Sequence, residues 1–222
     1  MAPSSPTTPA PRAGSSGSAR SSGSGAAAPP APTASGPSIL DDTGIRRALM
    51  RIAHEIVERN ADPGELYLVA IPNGGVPLGR LLVENIEKIS ERRAPLGILD
   101  TTLYRDDLAT SGERPPLRKT EMPSSVDGRV VVLVEDVVNT GRTIRAAMDA
   151  LMEFGRPTMV QAVALVDRGH RELPIKIDFV GKNIPTQAHE KVHLVAEPTG
   201  REPMCVVLET SEGRDAQGGG QA

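Results

Sequence analysis

Tryptophan is absent from this 222-residue chain, and two Tyr and two Phe are its only aromatic residues. Stacking of bases on exposed rings is therefore a poor main mechanism for any nucleic-acid recognition. A single cysteine, Cys205, excludes an internal disulfide and fits a reducing compartment. Set in an apolar run, that thiol reads as a small core residue. No long apolar stretch is present near the start, where Ala26 to Ala28 is broken by Pro29 and Pro30. Neither a signal peptide nor a membrane span is expected, and the implied location is the cytoplasm. Positive charge is also in short supply. The net charge is -3, and removing Arg12 and Arg20, the only charges in residues 1–38, leaves -3 - 2 = -5 for the rest. Bulk charge gives no support to nucleic-acid binding, so any basic surface must be local.

What is present divides into three parts. Residues 1–38 are almost wholly Ala, Ser, Gly, Pro and Thr and cannot bury enough apolar surface to offset chain entropy. They are expected to be a disordered tail, as are the Gly- and Gln-rich residues 211–222. The working domain is then residues 39–210. Ile45, Leu49, Ile52, Ala53 and Ile56 recur at helical spacing, predicting a helix over 43–59 capped by Asp42 or Thr43. Leu66 to Ile71 reads as a strand that ends at Pro72-Asn73-Gly74-Gly75, with Pro77 opening a second helix to about Arg92. Leu96 to Leu103 reads as a strand followed by a long mobile loop from Arg105 to Gly128.

The β-branched run Val130 to Val134 suits a strand covered on both faces, followed by a helix from about Arg142 to Phe154 with Gly155 at its end. Strands are predicted at Met159 to Val166 and Ile175 to Val180, with Val192 to Val195 and Val206 to Leu208 pairing late in the chain. Strands alternating with helices imply an α/β fold built on a mostly parallel sheet flanked by helices.

Glu135 and Asp136 directly follow an apolar strand, which puts them at the carboxyl rim where α/β sheets bind ligands. Thr140-Gly141-Arg142-Thr143 then leads into a helix, whose unpaired N–H groups and positive dipole end suit a phosphate. Carboxylates on a sugar diol beside amides on a phosphate make a reader of ribose 5-phosphate. An acidic strand end before an ordinary capped helix is the plainer alternative. The Walker spacing and the Gly-x-Gly-x-x-Gly of dinucleotide binders are both missing.

The whole string Val131 to Thr143, Val-Val-Leu-Val-Glu-Asp-Val-Val-Asn-Thr-Gly-Arg-Thr, resembles the fingerprint of type I phosphoribosyltransferases. Further segments are similar to the PyrR family of bifunctional pyrimidine operon regulators and uracil phosphoribosyltransferases. They are Ile45 to Leu49, Arg51 to Glu55, Leu103-Tyr104-Arg105-Asp106-Asp107-Leu108, Val166 to Ile175 and Gly181 to Thr186. The resemblance implies the type I phosphoribosyltransferase fold, with a small hood region and a mobile loop. It also implies conversion of uracil and 5-phosphoribosyl 1-diphosphate to UMP and diphosphate with Mg²⁺, and pyrimidine-operon leader RNA bound when UMP or UTP is present. Homo-oligomers, dimeric or tetrameric, are expected on the same ground.

Carried over, Glu135 and Asp136 hold the ribose diol and Val137, Val138, Asn139, Thr140, Gly141, Arg142 and Thr143 the 5-phosphate. Arg105 and Asp106 close over the diphosphate, while Tyr104 and Arg168 are further substrate contacts. Asn73, Gly74 and Gly75 form the diphosphate loop, which usually reads Thr-Arg-Gly in the family. The missing arginine removes a charge-assisted contact to the leaving group, worth on the order of a few kcal/mol. Restoring it by Gly74→Arg is expected to raise turnover if that cation limits the rate. Asn139 stands where the family usually has an aromatic residue.

Arg47, Arg51, His54 and Glu58 lie at helical steps opposite the apolar stripe, with Arg59 near the helix end. By spacing alone this is a solvated helix face. The resemblance makes Arg47, Arg51, His54, Arg59, Arg171, Lys176 and Lys182 an RNA-binding surface. His170 reads as structural or RNA-facing, and His189 and His193 as solvated loop histidines with no metal role.

Overall fold

The computed structural model describes residues 36–72, 74–106, 119–187 and 189–210. The tails over 1–35 and 211–222, Asn73, and positions 107–118 of the expected loop, Asp107 among them, lie outside the described residues.

Strand β1 (Ser38–Leu40) begins one residue inside the stretch read as tail. Helix α1 (Asp42–Arg59) buries Ile45, Leu49, Ile52, Ala53 and Ile56, the stripe its periodicity predicted. Its N-cap is Asp41, whose carboxylate accepts from Gly44 N at 2.8 Å, rather than Asp42 or Thr43. Asp42 is committed elsewhere, to Arg46 Nε at 2.8 Å and Met204 N at 3.1 Å.

Strand β2 (Leu66–Ala70) is buried throughout and leads to helix α2 (Gly75–Ser90). Starting at Gly75 places Pro77 inside the first turn, where a missing N–H costs nothing. Strand β3 (Leu96–Ile98) is much shorter than expected. The Asp100 carboxylate accepts from both Thr102 N and Thr102 Oγ1, at 2.9 and 2.6 Å, and turns the chain into a 3-10 turn over Thr102–Tyr104. The end of the expected loop is pinned as well. Ile98 and Glu121 exchange two backbone bonds of 2.8 Å, Tyr67 Oη donates to Ser124 O, and Val126 is fully buried.

Strand β4 (Val130–Val138), helix α3 (Arg142–Leu151) and strand β5 (Met159–Asp167) follow. Strand β6 (Phe179–Asn183) starts four residues later than expected, because Ile175 and Ile177 pack into the core beneath α3 instead. Asp178 joins β5 through its own N–H to Ala162 O and its carboxylate to Ala162 N. Strands β7 (Glu190–Val195) and β8 (Cys205–Thr210) pair antiparallel, and β1 pairs on the other side of β8.

The molecule thus has a five-stranded parallel sheet in the order β3-β2-β4-β5-β6 and a three-stranded antiparallel sheet in the order β1-β8-β7. Alternation along β2 and β4 sends Leu66, Leu68, Val132 and Val134 to the face covered by α1 and α2. Tyr67, Val69, Val131 and Leu133 go to the face covered by α3. Each such aliphatic side chain contributes about 1.5–3 kcal/mol on burial. A reciprocal amide pair adds specificity: Asn60 Nδ2 donates to Gln161 Oε1 at 3.1 Å, and Gln161 Nε2 to Asn60 Oδ1 at 3.0 Å. It fastens the end of α1 to β5. Among the described residues no helix is long and apolar enough to cross a membrane.

Candidate functional site

Chain order sets the place of the site. From β2 the chain crosses through α2 to β3 on one side, and from β4 through α3 to β5 on the other. The direction of winding therefore reverses between neighbouring β2 and β4, and a crevice opens at their carboxyl ends. Both candidate loops lie there. Ile71 N donates to Val134 O at 3.0 Å, so the two loops start side by side.

Glu135 and Asp136 are within β4, not beyond it, since pairing with β5 continues to Val138 opposite Asp167. Glu135 is 7% exposed, and its Oε2 is buried with no hydrogen-bond partner. Burial first, and the neighbouring Asp136 charge second, push its carboxyl up to about 8, against a hydrogen bond from Thr143 and the charges of Arg105 and Arg171. Burial also raises Asp136, opposed by the backbone N–H groups of Val137 and of Asp136 itself. Asp136 keeps more solvent surface than Glu135.

A cavity of about 190 Å³ is lined by Arg105, Glu135, Val137, Val138, Asn139, Thr140, Gly141 and Thr143, whereas Asp136, the next residue of the strand, turns to the opposite face toward Gly74. Gly141 caps α3 with φ +91°, a left-handed conformation that a side chain would strain. The loop is braced from outside. Arg168 N donates to Val138 O at 2.9 Å, and Arg171 Nη1 to Asn139 O at 2.7 Å. Glu172 N reaches Thr140 O at 3.0 Å. Arg142, at the first position of α3, pairs with Glu172 at 2.8 Å and Asp106 at 3.0 Å.

The β2–α2 loop is built on close approach. A Cβ on Gly75 would stand 2.4 Å from Val134 O, and one on Gly74 would stand 2.1 Å from Asp136 Oδ2. Any side chain at 74 must displace the Asp136 carboxylate. The expected gain from Gly74→Arg therefore meets a steric obstacle that the sequence did not reveal.

Not every expected residue reaches the cavity. Asp106 bridges Arg142 and Arg145, at 3.0 and 2.9 Å, on the outer side of α3. Tyr104 bonds to Glu153 beyond the far end of that helix, roughly 15 Å along its axis from the cradle. Arg168 bonds to Thr186 Oγ1 and Glu190 O, joining β5 to the approach to β7.

The expected RNA residues divide. Arg51 donates to Val180 O and Gly181 O, Arg59 pairs with Asp178 and lies 5.5 Å from the Phe179 ring centre, and Lys182 donates to Ile39 O. These contacts draw α1, β1 and β6 together, with Arg47, His54 and Lys176 exposed. Arg171 is instead turned to the loop between β4 and α3, where it bonds to Asn139 O. His170 bonds to Thr186 O at 2.7 Å, and His193 is on β7, 3.4 Å from Glu209, rather than in a loop. The braces Asp167, Arg171 and Glu172 were missed as site-supporting residues; the i,i+4 spacing of Asp167 and Arg171 was their one signal.

A second, larger depression of about 1010 Å³ runs along edge strand β3, lined in part by Arg80, Arg93, Lys119 and Arg201. It contains neither buried carboxylate, and the smaller cavity is lined in part by Glu135. Among the described residues no group of three or more His, Cys, Asp or Glu converges as a metal cage.

Comparison with known proteins agrees with this geometry. Residues 36–197 match the phosphoribosyl transferase domain family. The bifunctional protein PyrR of Pelotomaculum thermopropionicum is 55% identical over 174 residues, covering 78% of this chain and 96% of that protein. That of Geobacter sulfurreducens is 52% identical over 79% of this chain and 99% of its own length. In fold, a Trypanosoma cruzi hypoxanthine phosphoribosyltransferase superposes with TM-score 0.59 at 21% identity, covering 78% of this chain and 95% of that one. A hypoxanthine-guanine phosphoribosyltransferase from Bacillus anthracis gives 0.56 at 18%, covering 67% and 84%. With the family model spanning most of the chain and relatives matched almost end to end, this protein belongs to the phosphoribosyl transferase domain family and, within it, to the PyrR group.

Proposed function

We propose that this chain transfers a phosphoribosyl group from 5-phosphoribosyl 1-diphosphate to uracil, giving UMP and diphosphate, and regulates pyrimidine-biosynthesis genes by binding leader RNA when UMP or UTP occupies the site. The observation that carries the reading is the unpartnered, buried Glu135 Oε2 beside Asp136, set against the Asn139-to-Thr143 cradle at the reversal point of the sheet. Ribose hydroxyls satisfy the carboxylates and the 5-phosphate takes the helix-terminal N–H groups.

The chemistry asks for position and charge rather than a nucleophilic side chain. As the ribose C1–diphosphate bond breaks, positive charge grows at the sugar and the nearby carboxylates stabilise it. Arg105, which lines the cavity, offers positive charge toward the departing anion and restricts water. Mg²⁺ is the proposed cofactor. Two carboxylates with hard oxygens fit an ion held mainly by substrate oxygens, and such an ion neutralises charge on the leaving diphosphate.

Purified protein with uracil, 5-phosphoribosyl 1-diphosphate and Mg²⁺ is expected to yield UMP and diphosphate in equal amounts. No UMP above a blank at saturating substrate would overturn the enzyme reading. It would favour a nucleotide-sensing RNA regulator without turnover, the alternative that Gly74 in place of a cation raises. RNA binding is proposed for the α1–β6 side, with Arg47, Arg51, His54, Arg59, Lys176 and Lys182 as phosphate contacts. UMP-loaded protein should prefer a pyrimidine leader to scrambled RNA in a salt-sensitive manner. A cytoplasmic homo-oligomer is proposed, supported by the exposed apolar side chains of Leu103, Met152 and Phe154, and sedimentation reads its size.

A further inference from the structure

The carbonyls of the cradle are held by a segment outside the cavity lining. Three successive carbonyls, those of Val138, Asn139 and Thr140, accept bonds from Arg168 N, Arg171 Nη1 and Glu172 N at 2.9, 2.7 and 3.0 Å. In a trans peptide the N–H points opposite to the C=O. Turning these carbonyls outward therefore turns the N–H groups of Asn139, Thr140 and Gly141 toward the cavity side. Arg171 is the only side chain among the three donors, and it is held in place by its other bonds: Nη2 to Asp167 Oδ2 at 2.6 Å and Nε to Ile175 O at 3.0 Å. Its side chain is 21% exposed, and its Cδ lies 3.7 Å from where a Gly141 Cβ would stand. A charged donor on the Asn139 carbonyl also polarises the peptide whose N–H belongs to Thr140.

We infer that Arg171 is the positioning residue of the 5-phosphate cradle, and that through it occupancy of the cradle is felt by the 168–175 segment. The inference rests on the phosphoribosyl reading of the site and deepens it. A guanidinium planar enough to bond Asn139 O, Ile175 O and Asp167 at once fixes the loop in the phosphate-binding shape, which a lysine cannot do at three points. Filling the cradle in turn stiffens the three carbonyls and the segment bonded to them.

The test compares UMP with uridine by calorimetry on the full chain, in wild type, Arg171→Gln and Arg171→Lys. Wild type should bind UMP at least tenfold more tightly than uridine. Arg171→Gln should lose most of that ratio with uridine affinity unchanged, and Arg171→Lys should recover part of it. A folding defect lowers both affinities together, so the ratio separates positioning from damage. Amide exchange at Arg168, Glu172 and Leu173 should slow on UMP binding in wild type and stay unchanged in Arg171→Gln. Equal binding of UMP and uridine by wild type would overturn the phosphate reading and this inference with it. A wild-type ratio that survives intact in Arg171→Gln would overturn the inference alone.

Discussion

The two loops at the reversal point of the sheet are made in opposite ways. The β4–α3 loop is over-determined: its carbonyls are taken by the 168–173 backbone and Arg171, its turn by Gly141, and its helix start by Arg142 with Glu172 and Asp106. At the β2–α2 loop, Gly74 and Gly75 supply no side chain and press against Asp136 and the Val134 carbonyl. One loop is fixed by its partners, as the proposed anion receptor requires. At Gly74 and Gly75 the other offers backbone alone, so on the proposed reading the phosphoribosyl group is recognised by the scaffold while handling of the leaving group depends on fit.

The largest effect should come from forcing a side chain into the bare loop. Gly74→Arg is expected to lower turnover roughly tenfold or more, because the Cβ displaces Asp136 and a small misplacement of reacting groups is costly. Steady-state kinetics decide, and a rise in kcat would show that Asp136 moves aside freely and that the missing cation was the limit. Asp136→Asn should weaken ribose phosphate binding strongly by calorimetry while the fold is kept. Unchanged affinity would break the assignment of that carboxylate.

Glu135 sharpens the comparison through pH. Its folded value of about 8 lies above the usual 4.5, so the folded chain binds more protons than the unfolded one between those limits. Stability contributed here is present at low pH and falls as pH rises through that window. Glu135→Gln should flatten the fall in urea melts. At pH 7, ribose hydroxyls and Mg²⁺ favour the ionised carboxyl, so binding of Mg²⁺ with 5-phosphoribosyl 1-diphosphate should release up to about one proton. Calorimetry in buffers of different ionisation heat reads that proton, and wild type releasing none would contradict the account.

The smallest expected effect on the site comes from the Asn60–Gln161 pair. Gln161→Leu leaves the buried Asn60 Oδ1 unpaired, while Asn60 Nδ2 keeps Ile56 O, and should destabilise by about 1–3 kcal/mol with UMP affinity unchanged.

Much of this was legible in the sequence because the deciding patterns are local. The apolar stripe of α1, the buried runs of β2 and β4 and the Thr140-to-Thr143 helix entrance each lie within one short stretch. What escaped depends on partners far along the chain. Arg171 reads as a surface cation until Asn139, 32 residues earlier, is seen to accept from it. Gly74 reads as a missing charge until Asp136 is seen to occupy the space above it. Tyr104 belongs to a string that matches the family, yet Glu153 draws its hydroxyl to the far end of α3.

A crystal structure with ribose 5-phosphate bound tests the central claim most directly. The account predicts phosphate oxygens about 2.7–3.2 Å from N–H groups of the Asn139-to-Thr143 cradle, with the ribose hydroxyls on Glu135 and Asp136. A phosphate bound elsewhere, for instance along β3 between Arg80 and Arg201, with the cradle empty, would contradict it.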